Sequence, residues 1–548
     1  MTAAAGPAGT RLLSTMQDFP LTVSAMLRHA RDVHPDAPVL TCRDGVVVDR
    51  STLGATVERA TRLAAGLAAT GVAPGDRVAS LCWNHRTHLE VFFAVPAMGA
   101  ALHLVNARLS DDQLVFVVND AADTVLIADP DLLERVRPLL PRMPLLRTVV
   151  VVGEAVEPGE LSYEELLAPP GTEVDWPELG ERAPAGISYT TGTTGLPKGV
   201  VYSHRSIWLN ALTISGGPAM ALSDRDLVLQ VTPMFHVNGW GLPHAAALTG
   251  AGLVLPGRTV SPPALAAAVA ATRPTVAVGV PLIWSQLARE PGVDLASLRL
   301  VVSAGSSVPP ALIERYATEF GVELVQGWGM TETSPWGGVA RAPGAELDDP
   351  STPWRHWSGR LLPGVEMRAV SPEGEVVARD GVAVGELEVR GPWVTGSYLG
   401  LQGEDADQRF SPDGWLRTGD VGVINRTGFF KITDRAKDVI KSGGEWIASA
   451  ALEDLLVAHP DVVEAAVIGV PDPRWDERPL AVVVTRTGAD AAALRDFLFE
   501  RVPRWWVPER WAFVTELPRT SVGKLDKRTL RRRHADGGAL EVVDLSGA

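Results

Sequence analysis

The first clear element in the chain is an amphipathic helix that follows Ser51. Its apolar residues lie four, three, three and four positions apart, which puts them on one face of a helix. They are Leu53, Val57, Ala60, Leu63 and Leu67. We predict a helix over residues 51–71, with Ser51 as its N-cap and Gly71 at its end.

Short apolar runs of strand length alternate with helical stretches through the amino-terminal part of the chain. These runs are Val78–Cys82, Thr124–Ala128, Val149–Val152, Thr275–Gly279 and Leu300–Ser303. Apolar strands separated by helices are typical of largely parallel sheets with both faces covered. The pattern therefore predicts an α/β fold of layered sheets and helices.

The pattern changes after Gly364, where strands become shorter and turn residues more frequent. The strands that we predict here are Val365–Val370, Gly385–Arg390 and Gly428–Thr433. They indicate a β-rich subdomain over about 364–433.

Beyond Asp434 the pattern predicts a small α+β domain. Its helices are Ala448–His459 and Ala491–Arg501, and its strands are Glu464–Val470, Leu480–Thr485 and, as the last strand of the chain, Trp511–Thr515. We divide the chain into a flexible amino terminus (1–16), a large N-terminal domain (17–434) and a mobile C-terminal domain (435–548). The basic run Arg531–Arg533 is expected to be a solvated tail.

Composition narrows the class of protein. Hydrophobic residues make up 46% and charged residues 21% of 548, which is typical of a globular protein with several folding units. The 50 Lys and Arg against 65 Asp and Glu give a net charge of −15, which disfavours nucleic acid as a partner.

Cysteine usage and hydropathy indicate the compartment. Cys42 and Cys82 are too few for a disulfide framework and fit a reducing cytoplasm. The amino terminus lacks the apolar core of a signal peptide. The longest apolar stretch, Val91–Val105, is too short to span a membrane.

Glycines and hydroxyl residues precede a lysine within Tyr189–Gly199. Backbone N–H groups, hydroxyls and one ammonium would form a cradle for a polyphosphate, although a Gly-rich run by itself could equally be a surface turn. The Walker A pattern is not met, because Leu196 and Pro197 separate the last glycine from the lysine. The cradle residues are Thr190, Thr191, Gly192, Thr193, Thr194, Gly195 and Lys198.

The whole run Tyr189–Gly199 resembles the phosphate loop of the adenylate-forming superfamily, which includes acyl-CoA synthetases, adenylation domains and luciferases. Further motifs follow in the family's order, so the resemblance covers residues 17–535. It implies that an acid and ATP form acyl-AMP and pyrophosphate, and that CoA then takes the acyl group. The implied cofactors are ATP, Mg²⁺ and the co-substrate CoA, and the resemblance allows a homodimer.

Two segments resemble the family's adenine and metal motifs. In the first, the aromatic ring stacks on adenine, the threonine contacts the α-phosphate and the glutamate holds Mg²⁺; Trp328 stands where the family more often has tyrosine. Its residues are Gln326, Gly327, Trp328, Gly329, Met330, Thr331 and Glu332. The second is the adenine-proximal turn Gly305, Ser306 and Ser307, which departs from the family's usual Gly-Gly-x-Ala. The resemblance also implies that Thr191 and Glu332 both bind the metal and both act as catalytic residues.

The run Trp415–Asp420 resembles the family's ribose motif, in which Asp420 accepts from both ribose hydroxyls. Ile432 and Arg435 belong to the same implied nucleotide site, with Arg435 on the ribose. Lys437 matches the pivot of the family's hinge, where we placed the domain boundary.

Two loops of the small domain resemble functional loops of the family. The first turns toward the active site for the thioester step and consists of Lys441, Ser442, Gly443, Gly444 and Glu445, with Lys441 also given a catalytic role. The second carries the catalytic lysine, Lys524, whose ammonium would stabilise charge as pyrophosphate leaves.

The acid site is implied by Pro233–Trp240, which is most similar to bacterial medium- and long-chain fatty acyl-CoA synthetases. There the histidine, His236, lies beside the reacting carboxylate and the tryptophan, Trp240, gates the acyl tunnel. If Trp336 lines that pocket, it would shorten it. No cationic residue is recognisable as a clamp for a second carboxylate, which favours an apolar monocarboxylic acid.

Other readings keep the same motifs. The acid could be an aryl acid, and the acceptor a carrier-protein thiol; in specialised metabolism an anion such as nitrite could be activated and delivered to an amine. A non-catalytic nucleotide-binding protein is disfavoured because Lys524 and Glu332 are both present.

Overall fold

The computed structural model describes residues 14–154, 157–190, 196–344, 353–400, 408–443, 445–486, 490–519, 525–536 and 540–545. Its helices are α1 Val23–Val33, α2 Leu53–Ala69, α3 Arg86–Ala97, α4 Asp111–Asp120, α5 Pro130–Val136, α6 Tyr163–Leu166, α7 His204–Ser215, α8 Leu242–Thr249, α9 Pro262–Thr272, α10 Pro281–Leu287, α11 Pro310–Glu319, α12 Ser449–Val457, α13 Ala491–Phe499 and α14 Lys527–Ala535.

Its strands are β1 Pro38–Arg43, β2 Val46–Thr52, β3 Arg77–Leu81, β4 Ala101–Leu104, β5 Val125–Ala128, β6 Thr148–Val151, β7 Glu160–Ser162, β8 Pro184–Tyr189, β9 Gly199–Ser203, β10 Leu227–Gln230, β11 Gly252–Leu255, β12 Val276–Gly279, β13 Leu300–Ser303, β14 Glu323–Gly329, β15 Trp336–Val339, β16 Gly359–Arg360, β17 Glu366–Val370, β18 Gly385–Arg390, β19 Leu416–Ile424, β20 Phe429–Arg435, β21 Ile440–Ser442, β22 Glu445–Ile447, β23 Val462–Asp472, β24 Asp476–Thr485, β25 Arg510–Phe513 and β26 Val542–Asp544.

Two large sheets organise the amino-terminal part, and both are parallel in their interiors. One has eight strands in the order β15-β14-β13-β12-β10-β11-β1-β2, and the other has seven in the order β7-β6-β5-β3-β4-β8-β9. Antiparallel pairs occur at edges, where β1 meets β2, β14 meets β15, and β8 meets β9. Interior strands such as β12 and β13 are buried at every position, as expected for strands covered on both faces. The predicted layered α/β fold is confirmed.

The predicted helix after Ser51 exists, but its cap is different. The helix α2 begins at Leu53, and the Thr52 hydroxyl accepts a hydrogen bond from the backbone N–H of Ala55. Ser51 and Thr52 both lie in β2, where they pair with Val39 and Pro38 of β1. Both residue types can cap a helix, and Thr52 is the cap because it is the residue directly before the first helical residue.

The β-rich region forms one five-stranded sheet in the order β16-β20-β19-β18-β17, antiparallel throughout. It begins before the predicted start near Gly364, because Gly359 and Arg360 of β16 pair with β20.

The carboxyl-terminal part contains a six-stranded sheet in the order β22-β21-β24-β25-β26, with β23 also paired to β24. The strand predicted at Trp511–Thr515 is present as β25, but the prediction that it is the last strand was wrong, because β26 follows and pairs with β25. The prediction that Arg531 belongs to a solvated tail was also wrong. Arg531 lies on α14 and forms an ion pair with Asp438 at 2.9 Å. Within the described part of the chain, no helix is both long and apolar enough to cross a bilayer.

Candidate nucleotide and acid site

Adjoining strand ends bring several predicted site residues together. Strands β13 and β14 run parallel with Ser303 opposite Gln326, so the segments that leave their carboxyl ends are neighbours. Ligands in open α/β sheets bind at such carboxyl ends. The backbone N–H of Val308 donates to the Gln326 side chain at 3.0 Å, which ties the adenine-proximal turn to the motif on β14.

That turn is exposed and has a glycine where the backbone needs one. Gly305 has φ +89°, and Gly305, Ser306 and Ser307 are all exposed. A Cβ at Gly305 would lie 3.5 Å from Val280 and 4.0 Å from the Trp240 ring. The predicted adenine turn and the predicted acyl gate are therefore neighbours.

The predicted phosphate loop closes a hairpin between β8 and β9. Its central residues Thr191, Gly192, Thr193, Thr194 and Gly195 lie outside the described residues. At its base, the Thr190 N–H donates to the Lys198 carbonyl at 2.9 Å and the Lys198 N–H donates to the Thr190 hydroxyl at 3.2 Å. These two bonds hold the ends of the loop together.

Tyr398 links the base of this loop to the predicted metal motif. The Lys198 ammonium lies 5.7 Å from the centroid of the Tyr398 ring. The Tyr398 hydroxyl donates to Oε1 of Glu332 at 2.7 Å. Next to Glu332, the Thr331 carbonyl accepts from the Tyr202 hydroxyl at 2.8 Å, which anchors the motif to β9.

The chemistry of Glu332 fits a magnesium ligand. The side chain is buried, and this burial raises the pKa of Glu332 above its usual value near 4.5, although the Tyr398 hydroxyl acts in the opposite direction. A cation would stabilise the charge that burial penalises, and carboxylate oxygen is a ligand type that Mg²⁺ prefers. Thr191, the other predicted ligand, lies outside the described residues.

Trp328, Asp420 and Arg435 form one cluster. Asp420 is 2% exposed. Its carboxylate accepts from the Trp328 indole N–H at 2.9 Å on Oδ2 and pairs with Arg435 at 2.9 Å on Oδ1. Asp420 and Arg435 are also direct partners in the β19–β20 register. Ile432 is half-buried and packs against the apolar cluster that contains Trp328. The Trp328 ring is itself largely buried, so stacking on adenine stays a prediction.

Lys437, the predicted pivot, lies in the exposed turn between β20 and β21. Just before it, the buried Asp434 accepts from the backbone N–H and hydroxyl of Ser449 and from the N–H of Ala450. Asp434 thus caps the start of α12.

The predicted CoA loop is the turn of the β21–β22 hairpin. Gly443 has φ +63°, and a Cβ there would lie 2.8 Å from the Trp475 ring. The buried Ser442 hydroxyl accepts from Arg478 at 3.3 Å, and the N–H of the exposed Lys441 donates to Glu477 at 2.9 Å. Gly444 and the side chain of Glu445 lie outside the part of the chain that the structure describes.

The predicted catalytic lysine, Lys524, also lies outside the described residues. The loop that carries it is closed by an antiparallel bridge between Arg519 and Leu525. Arg519 pairs with Glu464 of β23 at 2.5 Å, which anchors the loop to one end of that strand.

Trp240 and Trp336 pack together in the predicted acid site. Their rings are T-shaped with centroids 5.3 Å apart, and the Trp336 indole donates to the Trp240 carbonyl at 2.8 Å. A Cβ on Gly327 would lie 2.3 Å from the Trp336 ring, so only glycine fits beside it. His236 is half-buried, with its ring 6.4 Å from that of Phe235.

Trp240 lies in an unusual backbone segment. The five consecutive residues Val237, Asn238, Gly239, Trp240 and Gly241 all have positive φ, between 43° and 73°. Left-handed conformations at non-glycine residues are costly and persist only where the surroundings hold them. The hydrogen bond from Trp336 is one contact that holds this turn.

Sequence reasoning missed Tyr398, Arg478 and Trp475, which contact the predicted metal and CoA segments. Tyr398 lies 66 residues from Glu332, and Arg478 lies 36 residues from Ser442. No motif that we recognised contains either residue, so no local signal marked them.

A second cluster of metal-ligand types is better explained without a metal. Ligand atoms of Cys82, His85 and Asp129 lie within 4.8 Å of one another. However, Nδ1 of His85 accepts from the His88 N–H, so the proton is on Nε2, which faces Asp129 at 2.9 Å. Neither ring nitrogen can then offer a lone pair to an ion.

Comparison with known proteins identifies the family. A relative from Thermus thermophilus, a long-chain-fatty-acid–CoA ligase, is 43% identical over 536 residues that cover 96% of this chain and 98% of the relative. A 3-methylmercaptopropionyl-CoA ligase from Ruegeria pomeroyi is 41% identical and covers 96% and 99%. The crystal structure of an anthranilate CoA ligase with anthranoyl-AMP matches with a TM-score of 0.83 at 27% identity, over 95% of this chain and 99% of that one.

Family models agree with these relatives. The model for AMP-binding enzymes matches residues 27–399, and that for the C-terminal domain of AMP-binding enzymes matches residues 451–524. The first match alone covers more than half of the chain. The chain belongs to the AMP-binding enzyme family.

Proposed function

We propose that this chain is an AMP-forming acid–CoA ligase that activates an apolar monocarboxylic acid. One observation carries the proposal: relatives named as CoA ligases align with 96% of the chain, across both parts that the family models match. The clustering of Glu332 with Tyr398, and of Asp420 with Trp328 and Arg435, supports a nucleotide site at these strand ends.

The reaction has two displacements. A carboxylate oxygen of the acid attacks the α-phosphorus of ATP, and the bond to the β-phosphate breaks, giving acyl-AMP and pyrophosphate. The sulfur of CoA then attacks the acyl carbon, the bond to AMP breaks, and the thiol proton is released. Positioning and charge neutralisation account for most of the catalysis of phosphoryl transfer.

Each step has residues suited to it. Thr190 and Lys198 hold the ends of the phosphate loop together, and Lys524 is the residue whose ammonium would stabilise the charge that develops as pyrophosphate leaves. Glu332 and Thr191 would hold Mg²⁺, which would supply positive charge that neutralises the phosphates of ATP. Asp420 and Arg435 hold the ribose. The turn at Lys441–Gly444, with Glu445, admits the CoA thiol arm past glycines.

Two tryptophans favour a compact acid. Trp336 is 1% exposed and its indole is bonded to Trp240, so the ring cannot swing aside without losing that bond. If the acyl chain lies against Trp240, the buried Trp336 ring packed on Trp240 limits the length that fits. We place the reacting carboxylate beside His236.

A panel of acids tests the proposal. Pyrophosphate release is measured with straight-chain, branched and thioether acids and with aryl acids and nitrite, each with and without CoA, and acyl-CoA is quantified by mass spectrometry. We expect release with apolar monocarboxylates and thioester only when CoA is present. Two results would contradict the proposal. One is pyrophosphate release with aryl acids or nitrite but with no apolar monocarboxylate; the other is acyl transfer to an amine or a carrier protein but not to CoA.

We also infer a cytoplasmic location, and the resemblance to the family allows a homodimer. The first is supported by Cys42 and Cys82, both buried as free thiols. Thiol titration of the protein purified without reductant and light scattering test the two inferences; a disulfide or a monomer would refute the respective one.

A further inference from the structure

The residues predicted to bind adenine and ribose are joined by a hydrogen bond that neither motif indicates by itself. The Trp328 indole N–H donates to Oδ2 of Asp420 at 2.9 Å, between residues 92 positions apart. We propose that Trp328 positions the Asp420 carboxylate for the ribose of ATP, in addition to any contact of its ring with adenine. This inference rests on the proposed function.

The carboxylate is held at both oxygens. Arg435 pairs with Oδ1 at 2.9 Å, so two donors fix the plane of the group. The backbone is fixed as well, because the Asp420 N–H donates to the Thr418 hydroxyl and that hydroxyl donates to the Leu387 carbonyl. Each oxygen of a carboxylate can accept more than one hydrogen bond, so a donor on an oxygen does not by itself exclude a ribose hydroxyl from it.

The indole is held so that its N–H keeps pointing at Asp420. The Trp328 ring packs edge-to-face on Phe430, with centroids 5.4 Å apart. A Cβ on Gly337 would lie 2.4 Å from the ring, so only glycine leaves room for the indole beside residue 337. An indole N–H is a donor only, and it suits an ionised carboxylate.

The role requires an indole. Phenylalanine keeps an aromatic ring for adenine but has no donor, and tyrosine carries its hydroxyl at the far end of a single ring. Without the N–H, the buried carboxylate would lose a charge-assisted hydrogen bond and the orientation that it sets. The ribose hydroxyls, and not the adenine, would then lose their contact.

Nucleotide binding without acid tests the inference independently of the ligase reaction. Calorimetry measures the Kd of ATP, 2′-deoxy-ATP and 3′-deoxy-ATP for the parent protein, Trp328→Phe, Asp420→Ala and the double variant. We expect the parent to prefer ATP, and Trp328→Phe to reduce that preference by about tenfold, the scale of one hydrogen bond to a charged group. In the Asp420→Ala background, Trp328→Phe should leave the preference unchanged.

Trp511→Phe is the matched control, because it also removes a buried indole N–H, which there donates to the Pro508 carbonyl at 3.0 Å. It should keep the full preference for ATP. If Trp328→Phe does not fold, benzothienyl-alanine at position 328 keeps both rings and replaces the N–H by sulfur.

Two results overturn the inference. In one, Trp328→Phe weakens ATP and both deoxy forms equally; in the other, its effect and that of Asp420→Ala add. Absence of ATP binding by the folded parent protein would instead refute the proposed function.

Discussion

Trp336→Leu tests whether the two packed tryptophans set the length of the acid. The parent side chain is 1% exposed, donates to the Trp240 carbonyl at 2.8 Å and packs on Gly327. Its own carbonyl accepts from the Trp393 indole at 2.9 Å, so the backbone stays anchored when the side chain changes. Leucine removes the ring and the donor and leaves space next to Trp240.

The size of the effect follows from burial. Each methylene moved from water into an apolar pocket contributes about 0.8 kcal/mol, or about fourfold in affinity. Space for two more methylenes would therefore improve kcat/KM for the longer acids by about fifteenfold. The lost ring and hydrogen bond should lower the free energy of unfolding by about 2–5 kcal/mol.

The assay is pyrophosphate release over a series of straight-chain acids, with unfolding followed in parallel. Trp284→Leu is the control, since Trp284 is fully buried beside Gly279 in a separate apolar cluster and its loss costs comparable stability. We expect the preferred length to increase only in Trp336→Leu. An unchanged preference in a folded Trp336→Leu protein, or an equal change in both variants, would refute the reasoning.

Three further predictions follow from buried charge and from the two small-domain loops. Glu332→Gln should raise the Mg²⁺ concentration for half-maximal pyrophosphate release by at least about tenfold. In the parent protein, this Mg²⁺ concentration should increase as the pH is lowered, beginning above pH 4.5, because the raised pKa lets Glu332 take up a proton there. Unchanged Mg²⁺ titrations would place the metal elsewhere. Burial raises the pKa of Glu453 to about 7, although Lys527 acts in the opposite direction. Between pH 4.5 and about 7 the folded state therefore keeps a proton that the unfolded state has lost. The free energy of unfolding should fall by up to about 3 kcal/mol as the pH rises through this range. Denaturation at several pH values should show that Glu453→Gln flattens this slope, and a slope like the parent's would contradict the assignment. Lys524→Ala should slow acyl-AMP formation by about 10²–10³ but still convert supplied acyl-AMP and CoA to the thioester. Gly444→Leu should slow the thioester step and still form acyl-AMP. Equal loss of both steps in either variant would refute the division of roles.

The sequence predicts best what depends on local pattern. β13 was predicted with its observed bounds, and β12 within one residue, because strands buried on both faces are continuous apolar runs. β26 escaped prediction because only Val542 and Val543 are apolar between Glu541 and Asp544. Its place depends on pairing with β25, which no local pattern specifies.

The candidate site divides in the same way. Motifs identify Trp328, Glu332 and Asp420 as residue types in the right order, but not which side chains contact them. The bond from Trp328 to Asp420 spans 92 residues and that from Tyr398 to Glu332 spans 66. Such contacts depend on how the eight-stranded sheet, the five-stranded sheet and the loop at 392–400 pack together, and a single sequence carries no direct record of that.

The carboxyl-terminal sheet gives a geometric reason for a rotation at Lys437. The predicted CoA turn is attached at one end of the β23–β24 pair, where Ser442 pairs with Asp476 and Asp476 pairs with Asp472. The loop of Lys524 is attached through Arg519 to Glu464, near the other end of β23. Glu464 and Asp472 are eight positions apart along the strand, which corresponds to about 25 Å. A lysine side chain cannot bridge that distance. If both loops serve one reacting centre, the sheet that carries them must therefore present first one end and then the other, and the exposed turn at Lys437, between β20 and β21, is where the chain enters that sheet.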